Sequence, residues 1–219
     1  TSPMYFILEM VSDVRGGIRF IRHNAKQWSV DPNRLGVFGA SAGGHLSLVL
    51  GTASDAGDPA AKEDFMKESD RVASVVAYFP PVDLRGWARG ENPPPPADGK
   101  RERFPALNFD KAKAPDYSPI VFVSPDDPPT LLIHGDKDDL VPISHSQRIH
   151  EAFQQNKVKS EFITIPGAGH GFQAIGARGE GEIPTPAHAP LVRDRRQIVV
   201  QILLVELPVG SRGCGLVAE

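Results

Sequence analysis

"GVFGASAGGHLSL", residues 36–48, is the stretch whose reading decides the fold. Ser41 stands in it between glycines, in the order Gly39-Ala40-Ser41-Ala42-Gly43. The turn-forming "VDPNR" (30–34) precedes a short apolar run, "LGVFG" (35–39), which reads as a strand. After Ser41, "AGGHLSLVLGTAS" begins with small residues and continues into leucines, as a buried helix does. A serine on a sharp strand-to-helix turn exposes its hydroxyl for attack, and glycines two residues to either side let the backbone close tightly. Five-residue Gly-x-Ser-x-Gly matches arise by chance, but one lying between a strand and a helix is much less common. The competing reading is an ordinary serine in a close-packed crossover.

Outward from Ser41, the chain alternates between two periods. Residues 12–28, "SDVRGGIRFIRHNAKQW", carry Val14, Ile18, Ile21 and Ala25 three to four apart, which predicts an amphipathic helix capped by Ser12 or Asp13. Gly16 and Gly17 weaken that helix by about 1 kcal/mol each relative to alanine. "VASVVAYFP" (72–80) and "PTLLIHG" (129–135) are continuous apolar runs of the kind found in strands buried on both faces. "SHSQRIHEAFQQN" (144–156) reads as a helix and "KSEFITIPG" (159–167) as an alternating strand. Strand, helix, strand, helix, strand predicts an α/β fold with a mostly parallel sheet flanked by helices, because parallel neighbours need crossover connections. Between them, "ENPPPPADGK" (91–100) supports neither regular helix nor strand, since its four successive prolines lack amide donors. The surrounding stretch, 84–120, reads as a surface excursion that shapes a pocket.

With 219 residues, 40% hydrophobic and 23% charged, the chain suits one soluble globular domain. A formal net charge of -3 argues against nucleic acid or an anionic membrane as partner. The single cysteine, Cys214, excludes an intramolecular disulfide and a multi-cysteine metal site. "IVVQILLVEL" (198–207) is about half the ~20 residues that a membrane helix needs, and it contains Gln201 and Glu206. No basic-then-apolar leader follows Thr1, which leaves the compartment open.

A hydroxyl nucleophile needs a base, a group that orients the base, and donors for the developing oxyanion. The acid and the histidine are expected in that order, each in a loop after a later strand. The loop "HGDKDDLVP" offers Asp136, Asp138 and Asp139, and the loop "PGAGHGF" offers His170 among small residues. Of the seven histidines, His170 alone follows a late strand in this way. His45 lies one helical turn beyond Ser41, directed away from the hydroxyl, and reads as a packing or hydrogen-bonding residue. His23, His145, His150 and His188 show no metal-ligand spacing, so neither a metal nor a cofactor is expected.

Four blocks, "DVRGGIRFIRHNAKQWSVDPNRLGVFGASAGGHLSL", "VVAYFPPVDL", "PPTLLIHGDKDDLVPISHSQ" and "FITIPGAGHGF", resemble the esterase/lipase branch of the α/β-hydrolase superfamily. They are most similar to feruloyl- or acetyl-xylan-esterase-like acyl esterases and the related hormone-sensitive-lipase group, over residues 10–173. The resemblance implies Ser41 as nucleophile, His170 as general base and then acid, Asp138 as orienter, and the Ala42 backbone amide as an oxyanion donor. It selects Asp138 because that residue is fourth after the loop's histidine, with Val141-Pro142 in register behind it; Asp136 is left to cap the loop and Asp139 to face solvent. It makes His134, which ends a strand, a structural residue. The implied activity is hydrolysis of short-chain or small aromatic esters through an acyl-enzyme. Two alternatives stand beside it: a serine peptidase like prolyl oligopeptidase, and a catalytically impaired hydrolase remnant with a binding role.

Two parts depart from the family pattern. Only 40 residues precede Ser41, none matching the His-Gly-Gly segment that supplies oxyanion amides, and the early strands are missing. That predicts an apolar sheet edge in need of a cover, for which a homodimer sharing sheet edges is one solution. Residues 174–219 match no family block and read as an atypical C-terminal part of the same domain or a disordered tail. Within them Ile198, Ile202 and Val205 are spaced as a substitute helix face.

Overall fold

A computed structural model describes residues 6–88, 107, 109–172, 198–202 and 216–218. Helix α1 (Ile7–His23) opens the described chain. It starts and stops earlier than the sequence spacing predicts, because the apolar stripe of Val14, Ile18 and Ile21 runs upstream through Val11 to Ile7, all buried. Ser12 and Asp13 are therefore exposed residues inside the helix; its start is tied instead by Glu9, whose carboxylate accepts from the Phe6 N–H at 3.0 Å. The Asn24 side-chain amide closes the other end on the Phe20 carbonyl at 2.8 Å.

Then follow β1 (Leu35–Ala40), α2 (Ala42–Thr52), β2 (Ser74–Tyr78), α3 (Leu84–Ala88), β3 (Thr130–Gly135), α4 (Ser144–Gln155) and β4 (Ser160–Ile165). Strands β1 to β4 pair as parallel neighbours in chain order, as the alternation of strands and helices requires. The expected helix face at Ile198 and Ile202 does not form. Residues Ile198–Ile202 are a strand, β5, parallel to β1 on its other edge, with Leu35 opposite Ile198 and Gly39 opposite Ile202. The segment "IVVQI" is rich in β-branched residues, which suit a pleated strand, and its backbone pairs with the edge of β1 opposite β2. Leu216–Ala218, β6, adds antiparallel to β5. The sheet order is β4-β3-β2-β1-β5-β6. Val205, Cys214, His188 and the proline run at 93–96 lie outside the described residues. The excursion ends in short 3-10 turns, Lys111–Tyr117 and Pro119–Val121, that bury Ala114 and Tyr117.

Side chains of the strands alternate between two apolar layers, as a pleat demands. Val75 and Ala77 of β2 and Leu132 of β3 join the larger layer with α1, α2 and α4. Val76, Tyr78, Leu131 and Ile133 face the other layer with Phe79, Ala168 and Phe172. Leu46, Leu48 and Leu50 of α2 are fully buried, each worth about 1.5–3 kcal/mol against exposure. That burial fixes the turn that leads into α2. No helix of the described residues is long and apolar enough to cross a membrane.

Candidate active site

Ser41 occupies the turn between β1 and α2 at φ 53° and ψ -118°. A non-glycine residue held there costs on the order of 1–3 kcal/mol and persists only where its surroundings enforce it. Here the Ser41 N–H donates to the Tyr78 carbonyl at the end of β2 (2.9 Å), and the Ser41 carbonyl accepts from the His45 N–H of α2 (3.0 Å). The tightness of the turn also dictates Gly39, since a Cβ there would overlap the Gly43 backbone. Gly44 is a third constrained position that the five-residue pattern does not mark: its Cβ would lie 3.0 Å from the Tyr78 carbonyl oxygen. The adjacent glycine pair is the sequence signal for it. The Ala42 N–H belongs to the first turn of α2, where backbone amides lack intrahelical acceptors.

The loops after β3 and β4 are fastened to each other. Asp136 accepts from the Gly167 N–H at 2.7 Å, and the Lys137 N–H donates to the Ala168 carbonyl at 2.9 Å. On this base, Asp138 turns inward and is buried, while Asp136 and Asp139 stay exposed. Asp138 Oδ1 accepts from the Leu140 and Val141 N–H groups at 3.0 and 2.8 Å. Its Oδ2 lies 2.8 Å from His170 Nδ1, and His170 Nε2 lies 3.0 Å from Ser41 Oγ. Three residues separated by as many as 129 positions in sequence thus form one continuous hydrogen-bonded chain. With Nδ1–H directed at a carboxylate, Nε2 is left to accept the serine proton.

Burial pushes the Asp138 carboxyl up, but hydrogen bonds from His134, His170 and the Val141 amide outweigh it and hold the group well below the usual carboxylate range. Asp138 is therefore the fixed anion of the chain. Phe79, at φ 37°, sets its ring 4.6 Å from the His170 imidazole, edge to face, and is backed by Phe172 at 5.0 Å. Two residues here escape the sequence reading as site residues: Phe79, which looks there like any core aromatic, and His134, which looks like the last residue of a strand.

The remaining histidines stand apart. His45 is buried, its Nδ1 bonded to the Pro81 carbonyl oxygen at 2.9 Å, and burial lowers its pKa to about 4. His145 is buried on α4, where its Nδ1 accepts from the Val82 N–H at 3.0 Å, and burial together with Arg148 lowers its pKa to about 4 as well. His150 meets Ser160 Oγ at 2.9 Å. Among the described residues no group of three or more His, Cys, Asp or Glu side chains is arranged to hold a metal ion.

A profile of the BD-FAE family matches residues 6–153, and one of the dienelactone hydrolase family matches residues 121–193. Esterase LipC of Mycobacterium tuberculosis is 30% identical over 191 residues, a match that covers 82% of this chain and 44% of LipC. Among solved structures, an acetyl ester-xyloside bifunctional hydrolase from Caldicellulosiruptor lactoaceticus superposes with a TM-score of 0.66 at 29% identity, covering 80% of this chain and 61% of that one. The butyrate-bound esterase Est2 of Thermogutta terrifontis gives 0.57 at 28% identity, over 74% of this chain and 56% of its own. The chain spans less than half the length of LipC.

Proposed function

We propose a function from one premise: the chain belongs to the BD-FAE family of α/β-hydrolases. It is a serine carboxylic-ester hydrolase that acts on short-chain or small aromatic acyl esters through an acyl-enzyme. The observation that carries this reading is the unbroken relay from Ser41 Oγ through His170 to Asp138, at 3.0 and 2.8 Å, with the serine on a strained turn. Short acyl groups are favoured by the similarity to a hydrolase of acetyl esters and to an esterase crystallised with butyrate.

In this mechanism Ser41 Oγ attacks the ester carbonyl carbon while its proton passes to His170 Nε2. The Ala42 amide donates to the oxyanion that forms. The tetrahedral adduct collapses as the bond to the alcohol oxygen breaks, and His170 returns the proton to that leaving group. Water, deprotonated by His170, then attacks the acyl-enzyme; the acid departs and Ser41 regains its proton. Asp138 stays ionised throughout and stabilises the imidazolium of each half-reaction.

Incubation with p-nitrophenyl acetate or butyrate should give a burst of p-nitrophenol, and a fluorophosphonate probe should label Ser41. Full activity in Ser41→Ala overturns the proposal. Folded wild-type protein that neither turns over nor takes the label supports the impaired remnant instead. Cleavage of a prolyl peptide but not of esters supports the peptidase.

A further inference from the structure

His134 is fully buried at the end of β3 and makes three polar contacts. Its Nε2 lies 2.8 Å from the Val141 carbonyl oxygen and 3.2 Å from Asp138 Oδ2, and its Nδ1 lies 2.8 Å from Ser146 Oγ on α4. A carbonyl oxygen only accepts, so Nε2 carries a proton. That one N–H donates to the Val141 carbonyl and stands 3.2 Å from the carboxylate, close enough for its positive hydrogen to act on the charge there. Asp138 Oδ2 therefore faces two imidazoles: it accepts from the His170 Nδ1–H at 2.8 Å and lies 3.2 Å from the His134 Nε2–H, whereas Oδ1 accepts from two backbone amides. These N–H groups are uncharged when the histidines are neutral, so the carboxylate keeps its charge and spreads it.

We propose that His134 is a positioning residue for the relay, drawing charge from the same Asp138 oxygen that orients His170 and so setting how strongly Asp138 stabilises the catalytic imidazolium. This rests on the ester-hydrolase reading above. The argument is one of shared capacity. An oxygen that already accepts one hydrogen bond in a buried site is a weaker acceptor for the next competing donor, and the effect is large where solvent is excluded. The other titratable or charged groups near Asp138 are Asp136, Lys137 and Asp139 of its own loop, all exposed, and His145 beside His134 on α4, whose imidazole accepts from a backbone amide. None of them makes a hydrogen bond to the Asp138 carboxylate among the described contacts.

The test is the pH profile of kcat/KM for p-nitrophenyl butyrate, with active sites counted by fluorophosphonate labelling. His134→Leu keeps the volume and removes the donor. Asp138 remains held through Oδ1, so its undivided charge favours the imidazolium, and the acid limb of the profile should move about half to one unit toward higher pH. KM should stay within about twofold and plateau kcat should fall by less than about tenfold. His134→Gln can place an amide N–H near the same oxygen and should restore the limb to within about 0.2 unit of wild type. Should His134→Leu fail to fold, Ser146→Ala frees the opposite nitrogen of the ring and should move the limb in the same direction by less. An unmoved limb in the folded leucine variant, or one displaced toward lower pH, overturns the role of His134. A wild-type protein that is folded, inactive and unlabelled overturns instead the esterase reading beneath it.

Discussion

A Cβ placed on Gly135 would overlap the carbonyl oxygen of Ala168. Gly135 ends β3, just before the loop of Asp138, and Ala168 stands two residues before His170. The two loops that carry Asp138 and His170 are therefore in direct backbone contact, and their separation is set where no side chain fits. Gly135→Ala must push them apart. We expect a loss of roughly 1–3 kcal/mol in stability from the overpacking and about 10²-fold in kcat from the displaced imidazole. Urea denaturation and turnover on p-nitrophenyl butyrate measure the two effects, and wild-type values in both would refute the contact.

The turn at Ser41 makes a prediction that separates strain from chemistry. Ser41→Ala keeps a Cβ at φ 53° and so keeps the strain, whereas Ser41→Gly removes it. Relief of roughly 1–3 kcal/mol, less the 0.5–1 kcal/mol of added unfolded-state freedom, should leave the glycine variant about 1 kcal/mol more stable than the alanine variant. Both should fail to take a fluorophosphonate label. Equal denaturation midpoints for the two variants would mean that the turn stores no strain.

Most of the sheet was legible in the sequence. Strands β1 to β4 and helices α2 and α4 are long or strongly patterned, and their apolar runs have one plausible period. The start of α1 lies five residues before the one the sequence indicates, because Ser12 and Asp13 look like caps and only tertiary burial of Ile7 and Val11 outweighs them. The strand β5 differs from its expected helix for a related reason: isoleucines four apart fit a helix face, and nothing local announces that the edge of β1 will recruit "IVVQI". At the site, Ser41 and His170 stand in distinctive local sequence. Asp138 needed the family resemblance, because three aspartates share its loop and only burial distinguishes them. Phe79 and His134 carry no local mark at all, since what sets them apart is what they touch.

Phe79 supplies the wall against which the His170 imidazole rests, 4.6 Å between ring centroids. An edge-to-face pair is worth about 0.5–1.5 kcal/mol beyond its buried area. Phe79→Leu retains apolar bulk but loses the ring, so kcat should fall about 2- to 12-fold with KM nearly unchanged. A rise in KM at constant kcat would assign Phe79 to substrate binding rather than to the imidazole.

Two buried histidines should make the fold acid-sensitive well above the carboxylate range. His45 and His145 are each lowered to about 4 by burial, against about 6.5 in the unfolded chain. The unfolded state therefore binds more protons between those values, and stability rises with pH there. It should be complete above about pH 6.5 and should fall as the pH drops toward 4, by an amount on the order of 3 kcal/mol for each histidine. The depressed Asp138 carboxyl acts lower down. Its contribution is present above the ordinary carboxylate pKa of about 3.9 and is lost only as the pH falls further. Urea midpoints measured at pH 7, 6, 5 and 4.5 should thus decline steadily. In His145→Gln, whose amide can still accept from the Val82 N–H, the decline should be about half as steep. A flat profile in the wild-type protein would show that the two rings are not held neutral by the fold.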